Sequence, residues 1–310
     1  MAKEIWAFAG GKGGTGKSLF AATFAILLGE MGKKVIAIDV DFGGGGLHNY
    51  LRWPTLEKRI IADFVSRKIA SLGELVDDTI IANVKIIGGT NPNTNINQLT
   101  YDDKRRLLRA IPKLNADFIL LDLGPGISYD VLDFALLAEK ITLILLPEPT
   151  SIENSYAFIK AMCYRTVMRS IRDNEKKQWL FSFIQEKQIR HFIDLLEAIK
   201  SEQPELAANI KDKLAKLRFN LVINQARTKE DDTLGHNLIM TCEKFIGISP
   251  IFTGYLAWSD RFRQVVKWKE LPTTDTLGID AMSQINGILH NILNGTNAKP
   301  NHRDPRLFCK

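Results

Sequence analysis

Gly10-Gly11-Lys12-Gly13-Gly14-Thr15-Gly16-Lys17-Ser18 joins an apolar run, Ile5 to Ala9, to a segment rich in Ala, Leu and Phe, Leu19 to Met31. The first reads as a buried strand and the second as a helix. Strand, glycine loop and helix are the context a phosphate-binding loop requires, and Gly11 to Ser18 fits G-x-x-x-x-G-K-[ST]. Glycines let the backbone curl with its N–H groups pointing inward at an anion. The helix N-terminus adds donors and a partial positive charge. In such a loop Lys17 reaches the β- and γ-phosphates and the Ser18 hydroxyl ligates Mg²⁺.

The same stretch also satisfies a looser pattern. Gly11, Gly13 and Gly16 fit G-x-G-x-x-G, and Asp39 ends the next strand where a ribose-binding acid would sit. Two features favour a triphosphate over a dinucleotide. Lys17-Ser18 has a specific task on a phosphate–Mg²⁺ unit and none on a pyrophosphate. A second lysine inside the loop, Lys12, is costly there unless a strongly anionic ligand is present.

The chain has 310 residues, of which 45% are hydrophobic, enough to bury a sizeable core without staples. Lys3-Glu4 leads directly into the first strand, so no signal peptide is expected, and no apolar run is long enough to span a bilayer. Cys163, Cys242 and Cys309 are far apart and lack metal-ligand spacing, which fits a reducing cytoplasm. The net charge of +6 permits contact with DNA or an anionic membrane without demanding it.

Beyond the loop, strands and helices alternate. Val35 to Ile38 reads as a second buried strand ending in Asp39-Val40-Asp41, acids placed beside the loop where a metal needs oxygen ligands. Phe42-Gly43-Gly44-Gly45-Gly46 follows, a run whose entropic cost suits a loop that reorganises around a γ-phosphate. His48 reads as a surface loop residue. Thr55 to Arg67 reads as a helix, Asn83 to Ile87 as a short strand and Thr90 to Gln98 as a polar loop. Tyr101 to Lys113 reads as a helix whose Lys104, Arg105, Arg106 and Arg109 form a solvated basic face, with phosphate-backbone contact as the alternative. Ala116 to Leu121 reads as a strand ending in Asp122, a Walker B position, followed by Leu123-Gly124-Pro125-Gly126-Ile127. Ile141 to Leu146 is another strand, Ile152 to Leu217 a helix-rich stretch, and Phe219 to Ile223 a strand ending in Asn224-Gln225. Thr233 to Phe245 reads as a helix and Ile248 to Leu256 as the last strand. A basic helix opens at Trp258-Ser259-Asp260. Ile279 to Leu293 is a final amphipathic helix without lysine or arginine. The alternation predicts an α/β fold, a doubly wound, mostly parallel sheet flanked by helices, with an added helical segment at 152–217. Residues 1–294 are expected to form one domain, with a polar, disordered tail at 295–310.

Gly11-Lys12-Gly13-Gly14-Thr15-Gly16-Lys17-Ser18 resembles the deviant Walker A loop of the MinD/ParA ATPases. Leu123 to Ile127 resembles that family's switch II, with Leu123 in place of a usual small polar residue. Pro147-Glu148-Pro149-Thr150-Ser151 resembles the FlhG/FleN branch. The resemblance implies a P-loop NTPase fold, ATP and Mg²⁺ as cofactors, and an ATP-dependent homodimer in which Lys12 reaches the partner's phosphates. It implies catalytic roles for Lys12, Lys17 and Asp41. It implies nucleotide contacts by Gly11, Lys12, Gly13, Gly14, Thr15, Gly16, Lys17 and Ser18, with adenine recognition by Asn224. It implies metal binding by Ser18, Asp41 and Asp122.

Three functions compete. One is an ATPase switch that regulates the position or number of a cellular structure, slow until a protein partner stimulates it. Another is a metabolic P-loop enzyme, and the third a nucleotide-dependent interaction module. Lys12 favours the switch. The cysteine spacing argues against related iron–sulfur reductases, and the lack of a C-terminal tyrosine cluster argues against related tyrosine kinases. The uncharged face of the last helix predicts weak or no membrane binding. Scattered basic residues leave non-specific DNA binding open.

Overall fold

Successive residues of β1 (Glu4–Ala9) belong to two different cores. Ile5, Ala7 and Ala9 pack on one face of the sheet, and Trp6 and Phe8 on the other. This is the two-residue period of a strand covered on both sides. Such a strand is apolar throughout, which is why Ile5 to Ala9 shows no polar alternation in sequence.

The computed structural model describes residues 3–54, 58–89, 99–171, 173–186 and 189–298. The other strands are β2 (Val35–Val40), β3 (Asp77–Asp78), β4 (Val84–Ile87), β5 (Phe118–Leu123), β6 (Lys140–Leu145), β7 (Phe219–Ala226) and β8 (Ile251–Ala257). They form one sheet in the order β3-β4-β2-β5-β1-β6-β7-β8. Every neighbouring pair is parallel except β3 and β4. This is the doubly wound fold expected of the alternating pattern.

One face is covered by α1 (Lys17–Glu30) and α2 (Leu47–Tyr50), and by α11 (Asp260–Trp268), α12 (Thr274–Leu277) and α13 (Ile279–Asn294). The other carries α3 (Ile61–Val65), α4 (Tyr101–Ala110), α5 (Tyr129–Ala135), α6 (Pro149–Ser170), α7 (Asn174–Glu186), α8 (Phe192–Glu202), α9 (Pro204–Leu214) and α10 (Lys229–Ile246). Almost all of α1 is buried, from Leu19 through Gly29, so the helix is apolar around its whole circumference.

Several boundaries differ from the sequence expectation for physical reasons. Of the helix expected over Thr55 to Arg67 only α3 forms among the described residues: Ile60, with φ −131° and ψ 174°, is extended just before it, and Arg67 takes a left-handed φ of 64° just after it; residues 55–57 lie outside the described residues. The last strand starts at Ile251 rather than Ile248, since Pro250 has no N–H to give the ladder. The helix-rich stretch divides into α6 to α9. Gln203 closes α8 and opens α9, and Pro204 occupies the first turn of α9. β3 is two residues long, too short to leave a period. The loop expected over Thr90 to Gln98 and the tail beyond residue 298 lie outside the described residues.

Candidate functional site

The site is assembled at the carboxyl ends of three adjacent strands. β1 delivers the glycine loop. Its neighbour β5 delivers Asp122, in register with Phe8. β2 lies on the far side of β5 and sets Asp39 directly opposite Asp122. The crossover from β1 through α1 to β2 thus leaves room for β5 between them, and three segments distant in sequence meet at one edge.

Gly16 holds the loop in a left-handed conformation, φ 99°. A Cβ there would lie 2.6 Å from the Asn224 amide nitrogen, so the position needs glycine twice over. α1 starts at Lys17 with no side-chain cap, which leaves its first-turn N–H groups free to meet an anion. Lys17 is 6% exposed, and with Ser18 it lines a cavity of about 510 Å³. Gly13, Gly14, Gly16 and Asp41 line it as well, as does the glycine run 43–46. Gly45 has no space for a side chain either, since a Cβ would sit 2.2 Å from the Asp39 carboxylate. The Asp41 carboxylate accepts from the Gly43 N–H at 3.1 Å, and Asp39 accepts from the Asp41 N–H at 3.1 Å. Gly124 packs beside Asp41, and the Gly126 N–H donates to the Gly10 carbonyl at 3.4 Å. The two flanking loops are therefore in contact with each other, and the second is also bonded to the phosphate loop.

The charges here are strained. Asp122 is fully buried, and both its oxygens lack a hydrogen-bond partner. Burial pushes its carboxyl up to about 7, although nearby Ser18 and Lys17 pull the other way and Asp41 adds to the rise. Burial and then the facing Asp122 hold Asp39 well above the ordinary carboxylate value. Among the described residues, six buried side-chain polar atoms have no partner; four belong to Thr15, Asp122 and Asn224, around the loop. Orphaned polar atoms are costly, and concentrated here they suit a cation and an anion arriving together. No three Asp, Glu, His or Cys side chains among the described residues form a metal-binding group by themselves. That fits Mg²⁺, which is usually held by one or two carboxylates and fills its shell with phosphate oxygens and water.

Lys12 is placed apart from this cluster. It points outward, half-exposed, and pairs with Glu148 at 3.4 Å across the start of α6. Asn224 lies beneath the loop with its amide nitrogen donated to the Thr15 carbonyl at 2.8 Å. Sequence reasoning gave it the nucleobase, yet Gln225 is the residue of β7 that reaches the cavity. A register shift between Asn224 and Ala226 and a left-handed φ of 60° at Gln225 break the strand's alternation. Phe262, Val266 and Lys269 of α11 and the turn beyond it, with Tyr50 of α2, complete the wall and were not foreseen. A second cavity of about 270 Å³ adjoins through Gln225, Phe262 and Val266, and adds Arg227, Trp258 and Arg263. The run of Trp, Arg and Lys after the last strand was the available signal. Nothing in it told a cavity wall from a solvated helix. His48 is half-buried rather than a free surface residue, and burial with nearby Lys269 lowers its pKa. Leu123 ends β5 inside the core.

A profile of the CobQ/CobB/MinD/ParA nucleotide binding domain matches residues 6–303. The chain belongs to this family. Within it, 163 residues are 28% identical to the antiactivator FleN of Pseudomonas aeruginosa, covering 51% of this chain and 56% of that one. Over 150 residues it is 35% identical to the septum site-determining protein MinD of Helicobacter pylori, covering 47% and 53%. The chain spans about half the length of the curated relatives it matches. The septum site-determining protein MinD of Pyrococcus horikoshii, solved with Mg-ADP, superposes with a TM-score of 0.59 at 19% identity, over 96% of this chain and all of that one. At that identity the likeness establishes the MinD/ParA fold.

Proposed function

We propose that this MinD/ParA-family chain is an ATP-binding, ATP-hydrolysing switch that dimerises with ATP and regulates the position or number of a cellular structure. The observation that carries the reading is the convergence of the phosphate loop, Lys17, Ser18 and Asp41 on one cavity, with Asp122 buried next to these three side chains and Lys12 directed away from the cavity. A lysine that served its own nucleotide would line its own cavity. One that points outward is free to serve a second copy.

The loop N–H groups and Lys17 would bind the β- and γ-phosphates, with Gly11 to Ser18 forming the cradle. Ser18, Asp41 and Asp122 would hold Mg²⁺, directly or through its water shell. When bound, the ion offsets phosphate charge and draws electron density from the bridging oxygen. Asp41 would orient the attacking water. Lys12 would leave Glu148 and neutralise the partner's γ-phosphate oxygens. Loss of the γ-phosphate would remove what Lys12 and both flanking loops contact, so the dimer would separate. Asn224 would hold the loop in shape under the nucleotide, and the base would lie along Gln225, Phe262 and Val266. Turnover is expected to be slow until a protein partner completes the site, because a switch needs its ATP state to last.

Sedimentation velocity with ATP tests this. Asp41→Ala should bind ATP, hydrolyse little and accumulate as dimer. Lys12→Ala should bind nucleotide yet stay monomeric and inactive. Normal dimerisation and hydrolysis by Lys12→Ala would reduce Lys12 to a loop residue and remove the trans mechanism.

A further inference from the structure

A cavity of about 1000 Å³, twice the volume beside the phosphate loop, opens at the other end of the sheet. It lies between α4, the 3-10 turns Leu72–Leu75 and Ile111–Lys113, and the start of β2. Six of its lining residues are cationic, Lys34, Lys85, Arg105, Arg106, Arg109 and Lys113, and one, Asp102, is acidic. Three of the cations are committed elsewhere. Arg106 donates to the carbonyls of Phe64, Ile69 and Ala70 and lies 3.8 Å over the Phe64 ring. Lys85 pairs with Asp78 at 2.9 Å, and Arg105 reaches Asp102 at 3.8 Å. The side chains of Lys34, Arg109 and Lys113 are exposed and have no hydrogen-bond or ion-pair partner among the described residues.

Gathering like charges around one concavity raises the free energy of the folded chain and gives nothing back until an anion enters. The floor narrows the choice of anion. It is apolar, formed by Ile36, Phe64, Leu72, Val76 and Leu114. A nucleic-acid strand would use aromatic platforms for its bases. The one aromatic ring here, Phe64, is already covered by Arg106. An acidic peptide uses both halves of the surface, its carboxylates on the rim and an apolar side chain on the floor. The volume lies at the upper end of the range for small-molecule pockets, roughly 300–1,000 Å³, which leaves room for several side chains.

We propose that this groove docks an acidic peptide segment of a partner protein, its carboxylates pairing with Lys34, Arg109 and Lys113. The assignment does not rest on the nucleotide reading.

Fluorescence anisotropy on the full chain tests it with three labelled probes: a peptide alternating Glu and Leu, the same peptide with Gln for Glu, and a single-stranded oligodeoxynucleotide of similar length. The acidic peptide should bind at least about tenfold more tightly than the neutral one at low salt, with the margin shrinking as salt rises. The variant carrying Lys34→Glu, Arg109→Glu and Lys113→Glu should lose at least about tenfold in peptide affinity while still binding Mg²⁺–ATP, which also reports its fold. Arg109→Ala, at an exposed helix position, should weaken peptide binding in the same direction. Lys17→Ala should lose ATP and keep the peptide. Undetectable binding of the acidic peptide, equal binding of the neutral one, indifference to the charge changes, or tighter binding of the oligonucleotide would each overturn the proposal. The last result would give the groove to nucleic acid.

Discussion

Lys17 lines the cavity beside the phosphate loop, and the proposed function predicts what removing its ammonium would do. Lys17→Ala is expected to abolish Mg²⁺–ATP binding by calorimetry while circular dichroism and thermal unfolding stay close to the parent. Parent-like ATP affinity would sink the phosphate-loop assignment, and NAD binding without ATP binding would install the dinucleotide reading. Asp122 makes a different prediction, about pH. Its folded pKa, about 7, lies above the unfolded value near 3.8, so the native state holds an extra proton between them. That contribution is complete below about 3.8 and is lost as pH rises through about 7. Asp122→Asn should therefore melt higher than the parent without nucleotide, by a margin that grows between about pH 5 and 8. A margin independent of pH would contradict the burial argument. That Lys17 and Asp122 come together was legible in sequence, because one follows β1 and the other stands near the end of its sheet neighbour β5. Gln225 was not, because the bulge that brings it to the cavity depends on the register of β7 against β8.

At the scale of elements, two readings from sequence met different outcomes. The last helix was read as amphipathic with no cationic face, and the structure turns its apolar face into the core. Met282, Ile285, Ile288, Leu289 and Ile292 of α13 are buried in the same core as Trp6 and Phe8. Leu289→Ala should cost about 2–5 kcal/mol in urea unfolding, whereas a peripheral membrane helix would lose almost nothing. Purified protein with ATP should likewise fail to sediment strongly with anionic liposomes, since α13 offers no cationic face. Strong ATP-dependent sedimentation would overturn this. The basic run on α4 was read as a solvated face, and there the structure departs. Lys104 is buried and bridges Asp130 at 2.8 Å and Asp133 at 2.9 Å, and Arg106 is pinned to backbone carbonyls. Asp133 also takes a forked contact from Arg165 of α6, both bonds 2.8 Å, and a third cation from Arg169. Burial alone would raise the Asp133 carboxyl, but Arg165 and Lys104 outweigh it and hold it below the usual value. Asp133→Asn should cost about 3 kcal/mol, because it leaves Arg165 without an anion and Lys104 with Asp130 alone. The parent's advantage over the variant should persist above the unfolded pKa near 3.8 and fade as pH falls below it. Helical periodicity could not reveal this triangle, since its corners lie on α4, α5 and α6.

On the whole-molecule scale, the alternation of apolar runs with helical segments was enough to read the doubly wound sheet. The strand order was not readable that way, because every buried parallel strand presents the same featureless apolar run. The order has a cost that begins on the ribosome. β1 is made first, yet its two partners in the sheet are β5 and β6, and Glu4 pairs with Phe118. At roughly 5–20 residues per second, synthesis leaves β1 and α1 waiting on the order of ten seconds for the first of them. Through that interval Trp6, Phe8, Phe20 and Phe24, which end as a set of edge-to-face rings, have no sheet to close over. The nascent phosphate loop is thus carried at the end of a sticky, unpaired strand. Chains arrested just before residue 118 should crosslink to a hydrophobic-binding chaperone through this segment, and chains arrested after β6 has cleared the exit tunnel should release it.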